Sequence, residues 1–167
     1  MESVSNIVDE IIIVDTGSTD GTKAICREFG ARIFDFKWQE NFSGARNFGL
    51  DKATSDWILW MDADEKLCVK DKVCFKKMVN KEDAVLFSVK MLHVYGTDPE
   101  NEKQHYISYN YKSFRRKLGI HFEGAIHENI QMEDISQLDK CELCNFMEIF
   151  HYGYLEDQVK EKAIRNI

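Results

Sequence analysis

Short apolar runs alternate with helix-forming segments over the first 62 residues, and this alternation restricts the possible folds more than any other feature. The apolar runs lie at residues 11–14, 31–36 and 57–61, with a helical segment in each interval. Strand, helix, strand, helix, strand is the order of an α/β fold, in which helices cover both faces of a mostly parallel sheet. We therefore predict such a sheet for this part of the chain.

Capping residues set the predicted limits of the helices. Thr19 or Asp20 can cap the first helix, which then ends at Gly30. Ser43 can cap the second, which runs to about residue 53. A further helix is predicted at residues 71–79.

The second half of the chain has a different pattern. Residues 84–95, 105–116 and 146–152 are rich in aromatic side chains and partly alternate between polar and apolar. This favours antiparallel strands, which form a smaller portion beside the parallel sheet. Apolar residues at every fourth position over 155–167 predict a terminal amphipathic helix.

Composition excludes several classes of protein. The chain has 22 basic and 29 acidic residues and a formal net charge of −7, so its bulk charge does not favour a nucleic-acid backbone. No apolar run approaches the roughly 20 residues that span a bilayer, so no transmembrane segment is expected. The acidic N-terminus and the odd number of cysteines, five, favour the cytoplasm or the cytoplasmic face of a membrane.

Two carboxylates follow the third apolar run directly. Asp62 and Asp64 are two residues apart at the predicted carboxyl end of a strand, the edge where open α/β sheets bind ligands. Their oxygens suit Mg²⁺ or Mn²⁺, which would also accept phosphate oxygens. The alternative is an acidic surface turn.

A second polar loop, residues 15–22, follows the first apolar run. Its glycines allow close backbone approach, and Asp15 can accept hydrogen bonds from a base or a ribose. An ordinary capped loop is an equal alternative. The Asp-Thr-Gly-Ser at 15–18 also occurs in aspartic proteases, but helix-forming residues follow it and no glycine-rich flap does.

Three further segments carry candidate groups. Arg46 lies near the start of the second helix and could clamp a diphosphate. His127 and Glu128 are adjacent titratable groups in a predicted loop, suited to general-base work or metal ligation. His151 closes the last predicted strand and is either packed in the core or a metal ligand.

Taken together and in order, five segments resemble a family 2 glycosyltransferase with the GT-A fold, in the bacterial subgroup whose catalytic domain precedes tetratricopeptide-like repeats. Any one segment alone is weak evidence for this family. Five segments in the same order are strong evidence, and they span nearly the whole chain. They are I-V-D-T-G-S-T-D-G-T (13–22), F-S-G-A-R-N (42–47), W-I-L-W-M-D-A-D-E (57–65), F-E-G-A-I-H-E (122–128) and H-Y-G-Y (151–154).

The resemblance implies a role for each matched residue. It implies an inverting transfer from a nucleotide-sugar, usually a UDP-sugar, to a glycan, a lipid-linked sugar or a protein. Glu128 or His127 would be the catalytic base. Asp62, Asp64 and His151 would hold Mn²⁺ or Mg²⁺. The nucleotide-binding residues would be Asp15, Gly17, Ser18, Asp20, Arg46 and Asp62.

The resemblance also implies that the chain is trimmed at both ends. Members of the family begin with another strand and helix, of which residues 1–8 match only the end, and the subgroup continues into repeats. Residues 1–152 would then be a catalytic domain without its first strand, and 153–167 a helix leading toward the repeats. Donor affinity and turnover of this chain alone are then expected to be weak or absent. Two copies could pair through the sheet edge or this helix. Alternatives are an inactive nucleotide-binding relative and a nucleotidyltransferase.

Overall fold

The structure is a computed structural model that describes residues 1–81, 83–96, 105–134, 136 and 140–155. The helices are α1 (Glu2–Ser5), α2 (Thr22–Glu28), α3 (Phe42–Lys52) and α4 (Lys72–Val79). The strands are β1 (Ile12–Asp15), β2 (Arg32–Asp35), β3 (Trp57–Leu59), β4 (Glu65–Val69), β5 (Leu86–Gly96), β6 (His105–Arg115), β7 (His121–Glu123), β8 (Asn129–Gln131) and β9 (Cys141–Leu155).

The chain divides into two units that each contain separate stretches of sequence. The first unit consists of Met1–Ile58 and Arg115–Asp139, and the second of Leu59–Phe114 and Lys140–Ile167. Helices and strands occur in both, so the predicted α/β class is confirmed. Among the helices of the described residues, none is long and apolar enough to cross a membrane.

The first unit contains two small sheets. β1 and β2 pair in parallel, with Asp15 opposite Asp35, as the strand–helix–strand pattern predicts. β7 and β8, which the sequence did not predict, pair antiparallel. Apart from Asp15, the residues of β1 are only half-buried, although a buried strand was predicted. The two-stranded sheet gives β1 one hydrogen-bonded neighbour, β2, among the described strands.

A five-stranded sheet with the order β3-β6-β5-β9-β4 dominates the second unit. β5 pairs antiparallel with β6 and parallel with β9, and β4 pairs antiparallel with β9. The parallel part of the fold is therefore smaller than predicted, because β3 pairs with β6 in this mixed sheet. The largest fully buried side chains all come from this unit, among them Phe114, Leu86 and Ile149.

The register of the mixed sheet places polar residues in one row across four strands. Glu65 is opposite His151, His151 is opposite His93, and His93 is opposite Tyr106. Paired residues of neighbouring strands project from the same face of a sheet. Each side chain therefore lies next to the following one in the row, although β4, β5 and β9 are far apart in sequence.

Three predicted boundaries need correction. The first is the start of α2. Gly21, not Thr19 or Asp20, is its N-cap, and glycine has no side chain with which to cap the helix.

Asn41, not Ser43, caps α3: its Oδ1 accepts hydrogen bonds from Gly44 N at 2.9 Å and from Ser43 Oγ at 2.8 Å. The helix starts one residue before Ser43, so the hydroxyl of Ser43 lies inside the first turn. β9 extends to Leu155, and the rest of the helix predicted at 155–167 lies outside the described residues.

Candidate functional site

The carboxylate of Asp15 organises the loop that follows β1. The side chain is 3% exposed, and its Oδ1 accepts hydrogen bonds from Gly17 N at 3.1 Å and Ser18 N at 3.0 Å. Gly17 has a φ of 125°, which glycine adopts without strain. The loop therefore depends on both residues for its shape.

Hydrogen bonding keeps Asp15 ionised. The hydroxyl of Ser18, the backbone N–H groups of Ser18 and Gly17, and Lys23 together lower the pKa of Asp15 to about 2, although burial opposes them. Lys23 Nζ is 3.3 Å from Oδ1. Asp20, further along the loop, is exposed. Hydrogen bonds from the hydroxyl of Thr22 and then from Thr22 N, the latter at 3.0 Å, lower its pKa.

Two of the motifs recognised in the sequence, 42–47 and 122–128, are joined in the first unit. The side-chain amide of Asn47 donates to Phe122 O at 2.9 Å and accepts from Phe122 N at 2.8 Å. Phe42 N donates to Ala125 O at 3.0 Å. The start of α3 and the loop after β7 therefore form one hydrogen-bonded substructure.

An ion pair between two predicted site residues lies in this substructure. Arg46 Nε donates to Glu128 Oε1 at 2.5 Å. The guanidinium carbon of Arg46 is also 5.6 Å from the centre of the Phe122 ring. His127, the other candidate base, is exposed and has a positive φ of 57°. The structure thus pairs the arginine predicted to bind the nucleotide with a residue predicted to act on the acceptor.

In the second unit, a buried ion pair supports the turn that contains Asp62. Asp62 N donates to Glu65 Oε2 at 2.9 Å, and Lys112 Nζ contacts the two oxygens of Glu65 at 2.6 and 2.9 Å. Lys112 Nζ is also 3.5 Å from the centre of the Trp60 ring. Burial raises the pKa of Glu65, while Lys112 opposes that rise. The buried carboxylate of Glu65, itself held by Lys112, therefore fixes the backbone of the turn at Asp62.

Two of the three predicted metal ligands lie together. His151 Nε2 is 3.5 Å from Asp64 Oδ2, and Tyr152 N donates to Asp64 O at 2.9 Å. Asp62 lies two residues before Asp64 in the same turn. Within the described ranges, no three or more His, Cys, Asp or Glu side chains form a group that could hold a metal by themselves.

A second histidine, which the sequence did not indicate, extends this arrangement. His93 Nδ1 is 3.0 Å from His151 Nδ1, and His93 Nε2 is 2.7 Å from Ser108 Oγ. The ring of Tyr106 stacks on His93 with centroids 4.5 Å apart. Burial, followed by the proximity of His151 and Lys112, lowers the pKa of His93. A polar cluster thus runs from Asp64 to Ser108.

Two tyrosines pack against the histidines of the polar cluster. Tyr154, from the last recognised motif, lies 5.1 Å from His151 and 5.6 Å from Tyr106 between ring centres. Burial and the hydrogen bond with Tyr154 raise the pKa of Tyr106 to about 12. Tyr106 therefore stays neutral and can donate a hydrogen bond near neutral pH.

The comparisons with known proteins agree on one family. The family model described as Glycosyl transferase family 2 matches residues 1–134. This range includes Asp15, Arg46, Asp62, Asp64 and Glu128, while His151 lies beyond it.

Named relatives match over nearly the entire chain. A TPR repeat-containing protein of Synechococcus elongatus is 32% identical over 98% of this chain and 40% of its own length. An uncharacterized glycosyltransferase of Rickettsia felis is 28% identical over 98% of this chain and 60% of its own length. The SPbeta prophage-derived glycosyltransferase SunS of Bacillus subtilis is 32% identical over 100% of this chain and 39% of its own length. The chain thus spans about 40–60% of the relatives it matches.

Proposed function

Because this chain belongs to glycosyl transferase family 2, we propose that it supplies the catalytic part of an enzyme that moves a sugar from a nucleotide-sugar to an acceptor hydroxyl with inversion. The donor class is a UDP-sugar, and the acceptor is a glycan, a lipid-linked sugar or a protein. The observation that carries the proposal is the meeting of Asp64 and His151, two polar residues from separate motifs, in the second unit.

The donor atoms of this pair fit a divalent cation. Two ligands of one cation, each about 2.1 Å from it, can be at most about 4.2 Å apart, and Asp64 Oδ2 and His151 Nε2 are 3.5 Å apart. Mg²⁺ and similar ions commonly use one or two protein side chains together with substrate phosphates and water. Asp64 and His151 would therefore hold Mn²⁺ or Mg²⁺ together with phosphate oxygens and water, and Asp62, two residues before Asp64, is assigned to the ribose beside the cation. Bound there, the cation would offset the negative charge of the diphosphate leaving group.

In the first unit, Asp15 supports nucleotide binding by shaping its loop. Its buried Oδ1 receives the N–H groups of Gly17 and Ser18, so the loop presents a fixed backbone to the nucleoside. The exposed Asp20 and the side chain of Ser18 belong to the same loop. We assign these residues to the nucleoside, with Arg46 assigned to the phosphates because a guanidinium matches phosphate oxygens.

Glu128 is the preferred general base. Its carboxylate lies in the recognised loop at 122–128, and the ion pair with Arg46 holds it in position. The acceptor oxygen then attacks the anomeric carbon while the nucleoside diphosphate leaves from the opposite face, and Glu128 takes the hydroxyl proton. His127, which is exposed one residue earlier, is the alternative base.

Product analysis tests this proposal. The chain is incubated with Mn²⁺, a panel of nucleotide-sugars and a glycan, lipid-linked or protein acceptor, and the released nucleoside diphosphate is measured. A parallel incubation supplies a nucleoside triphosphate and a sugar 1-phosphate, and there the released pyrophosphate is measured. We expect nucleoside diphosphate, with release at least about 100-fold lower for Glu128→Gln, since general bases contribute about 10²–10⁴-fold. Glu123→Gln, at an exposed residue of β7, is the matched control and should retain full activity.

The other outcomes identify the alternatives. Pyrophosphate released in a parallel incubation with a nucleoside triphosphate and a sugar 1-phosphate, without nucleoside diphosphate from the nucleotide-sugars, would indicate a nucleotidyltransferase. Tight UDP binding without either product would indicate a nucleotide-binding protein that transfers nothing. Equal activity of Glu128→Gln and wild type would remove Glu128 from the mechanism.

A further inference from the structure

We infer that His93, anchored by Ser108, is a positioning residue that fixes the hydrogen-bonding state of His151 and thereby sets the affinity of the chain for a divalent cation. The inference rests on the proposed function, because it takes Asp64 and His151 as cation ligands. His93 itself would not touch the cation.

The contact between the two histidines requires a division of roles. Their Nδ1 atoms are 3.0 Å apart, so one nitrogen must carry a hydrogen and the other must accept it. Two neutral rings that each carried the hydrogen at Nδ1 would repel each other. The state of either ring therefore dictates the state of the other.

A cation at His151 Nε2 selects one of these states. A ligating nitrogen carries no hydrogen, so His151 would carry its hydrogen at Nδ1 and need an acceptor there. His93 Nδ1 faces it at 3.0 Å and supplies that acceptor. His93 then carries its own hydrogen at Nε2 and donates to Ser108 Oγ, 2.7 Å away.

The surroundings of His93 hold its ring in this orientation. The ring of Tyr106 stacks on it at an interplanar angle of 12°, and Asn110 Nδ2 donates to Ser108 Oγ at 3.1 Å. The register of β5 with β9 places His93 directly opposite His151. The acceptor is thus in position before any cation arrives, which is how outer partners of metal-bound histidines act.

Metal titration of matched variants tests the inference. Mn²⁺ binding to the full chain is followed by the electron paramagnetic resonance signal of unbound Mn²⁺. His93→Phe keeps a flat ring against Tyr106 but has no nitrogen, so we expect about 10–100-fold weaker binding. His93→Asn places an amide oxygen near the position of Nδ1 and should retain most of the affinity. His105→Phe, at the start of β6, is the control and should bind as wild type does.

The outcomes separate this inference from the proposed function. If wild type does not bind Mn²⁺, or binds it as well after Asp64→Asn, the proposed cation site is wrong. If binding depends on Asp64 but His93→Phe binds as tightly as wild type, the inference is wrong and the cation site stands.

A spectroscopic readout on wild type avoids any variant that fails to fold. Long-range ¹H–¹⁵N spectra with Mg²⁺ bound should show hydrogen on Nδ1 of His151 and on Nε2 of His93. Hydrogen on Nδ1 of His93 in that state would overturn the inference.

Discussion

The two units each contain an ion pair beside a recognised motif, and the two pairs differ in burial. In the first unit, Arg46 and Glu128 are 19% and 13% exposed. In the second, Lys112 and Glu65 are 3% and 2% exposed. The first pair retains contact with solvent and so with incoming ligands, whereas the second is enclosed.

The difference is consistent with the reactive role that we propose for Arg46 and Glu128 and with a supporting role for Lys112 and Glu65. Arg46 and Glu128 lie in a substructure that Asn47 also holds through the backbone of Phe122. Glu65 instead accepts from the backbone of Asp62, so the buried pair fixes the turn that carries Asp62 and Asp64. A buried charge that loses its partner strongly destabilises the folded state. Disrupting the buried pair should therefore lower the stability more than disrupting the partly exposed pair.

The largest effect is expected for Lys112→Met, which leaves Glu65 buried without its cation. We expect a loss of about 3–5 kcal/mol in the free energy of unfolding, measured by urea denaturation. Combining it with Glu65→Gln removes both charges and keeps an acceptor for Asp62 N, so most of the loss should be recovered. A loss below about 1 kcal/mol for the single variant would refute the supporting role.

Asn47→Ala should have the next largest effect. It removes both hydrogen bonds between the side chain of Asn47 and the backbone of Phe122, at an expected cost of about 2–3 kcal/mol. Asn80→Ala, an exposed asparagine that donates to Lys76 O, is the control and should cost less than about 0.5 kcal/mol. Equal costs for the two variants would show that α3 does not depend on this link.

Asp15 should make the stability of the first unit depend on pH. Its pKa is lowered to about 2, against about 3.9 in an unfolded chain, so the folded state binds fewer protons between these values. The contribution is therefore complete above about pH 5 and lost as the pH falls toward 1, by about 2–3 kcal/mol in total. Denaturation at several pH values should show this slope in wild type and in Asp9→Asn, an exposed control, but reduced in Asp15→Asn.

The smallest effect is expected for the coupling between Arg46 and Glu128. A double-mutant cycle with Arg46→Met and Glu128→Gln should give about 1 kcal/mol, as for ion pairs near the surface. The same cycle on Lys112 and Glu65 should give a clearly larger value. Equal coupling energies would contradict the distinction between the two pairs.

Local sequence patterns predicted most elements of the first unit but not their detailed ends. Apolar runs indicated β1 and β2, and helical spacing indicated α2 and α3. The cap of α3 was misassigned because Asn41 and Ser43 are both capping residues and only the position of the first helical turn distinguishes them. β4 was missed because Glu65 and Lys66 give its first half a polar, turn-like sequence.

Contacts between distant strands were beyond local patterns. Lys112 and Glu65 are 47 positions apart, and His93 and His151 are 58 apart. Their meeting depends on the sheet order β3-β6-β5-β9-β4 and its register, which no short window of sequence determines. Asp64 and His151 were predicted as partners because each lies in a recognised motif, whereas His93 lies in none.

The central claim is that Asp64 and its neighbours bind a cation and, through it, the diphosphate of a sugar donor. Calorimetric titration of UDP with and without Mn²⁺ tests this claim most directly. We predict that UDP binds the 167-residue chain only when Mn²⁺ is present. UDP should bind at least about tenfold more weakly after Asp64→Asn. UDP binding of equal strength without Mn²⁺, or unchanged in Asp64→Asn, would contradict it.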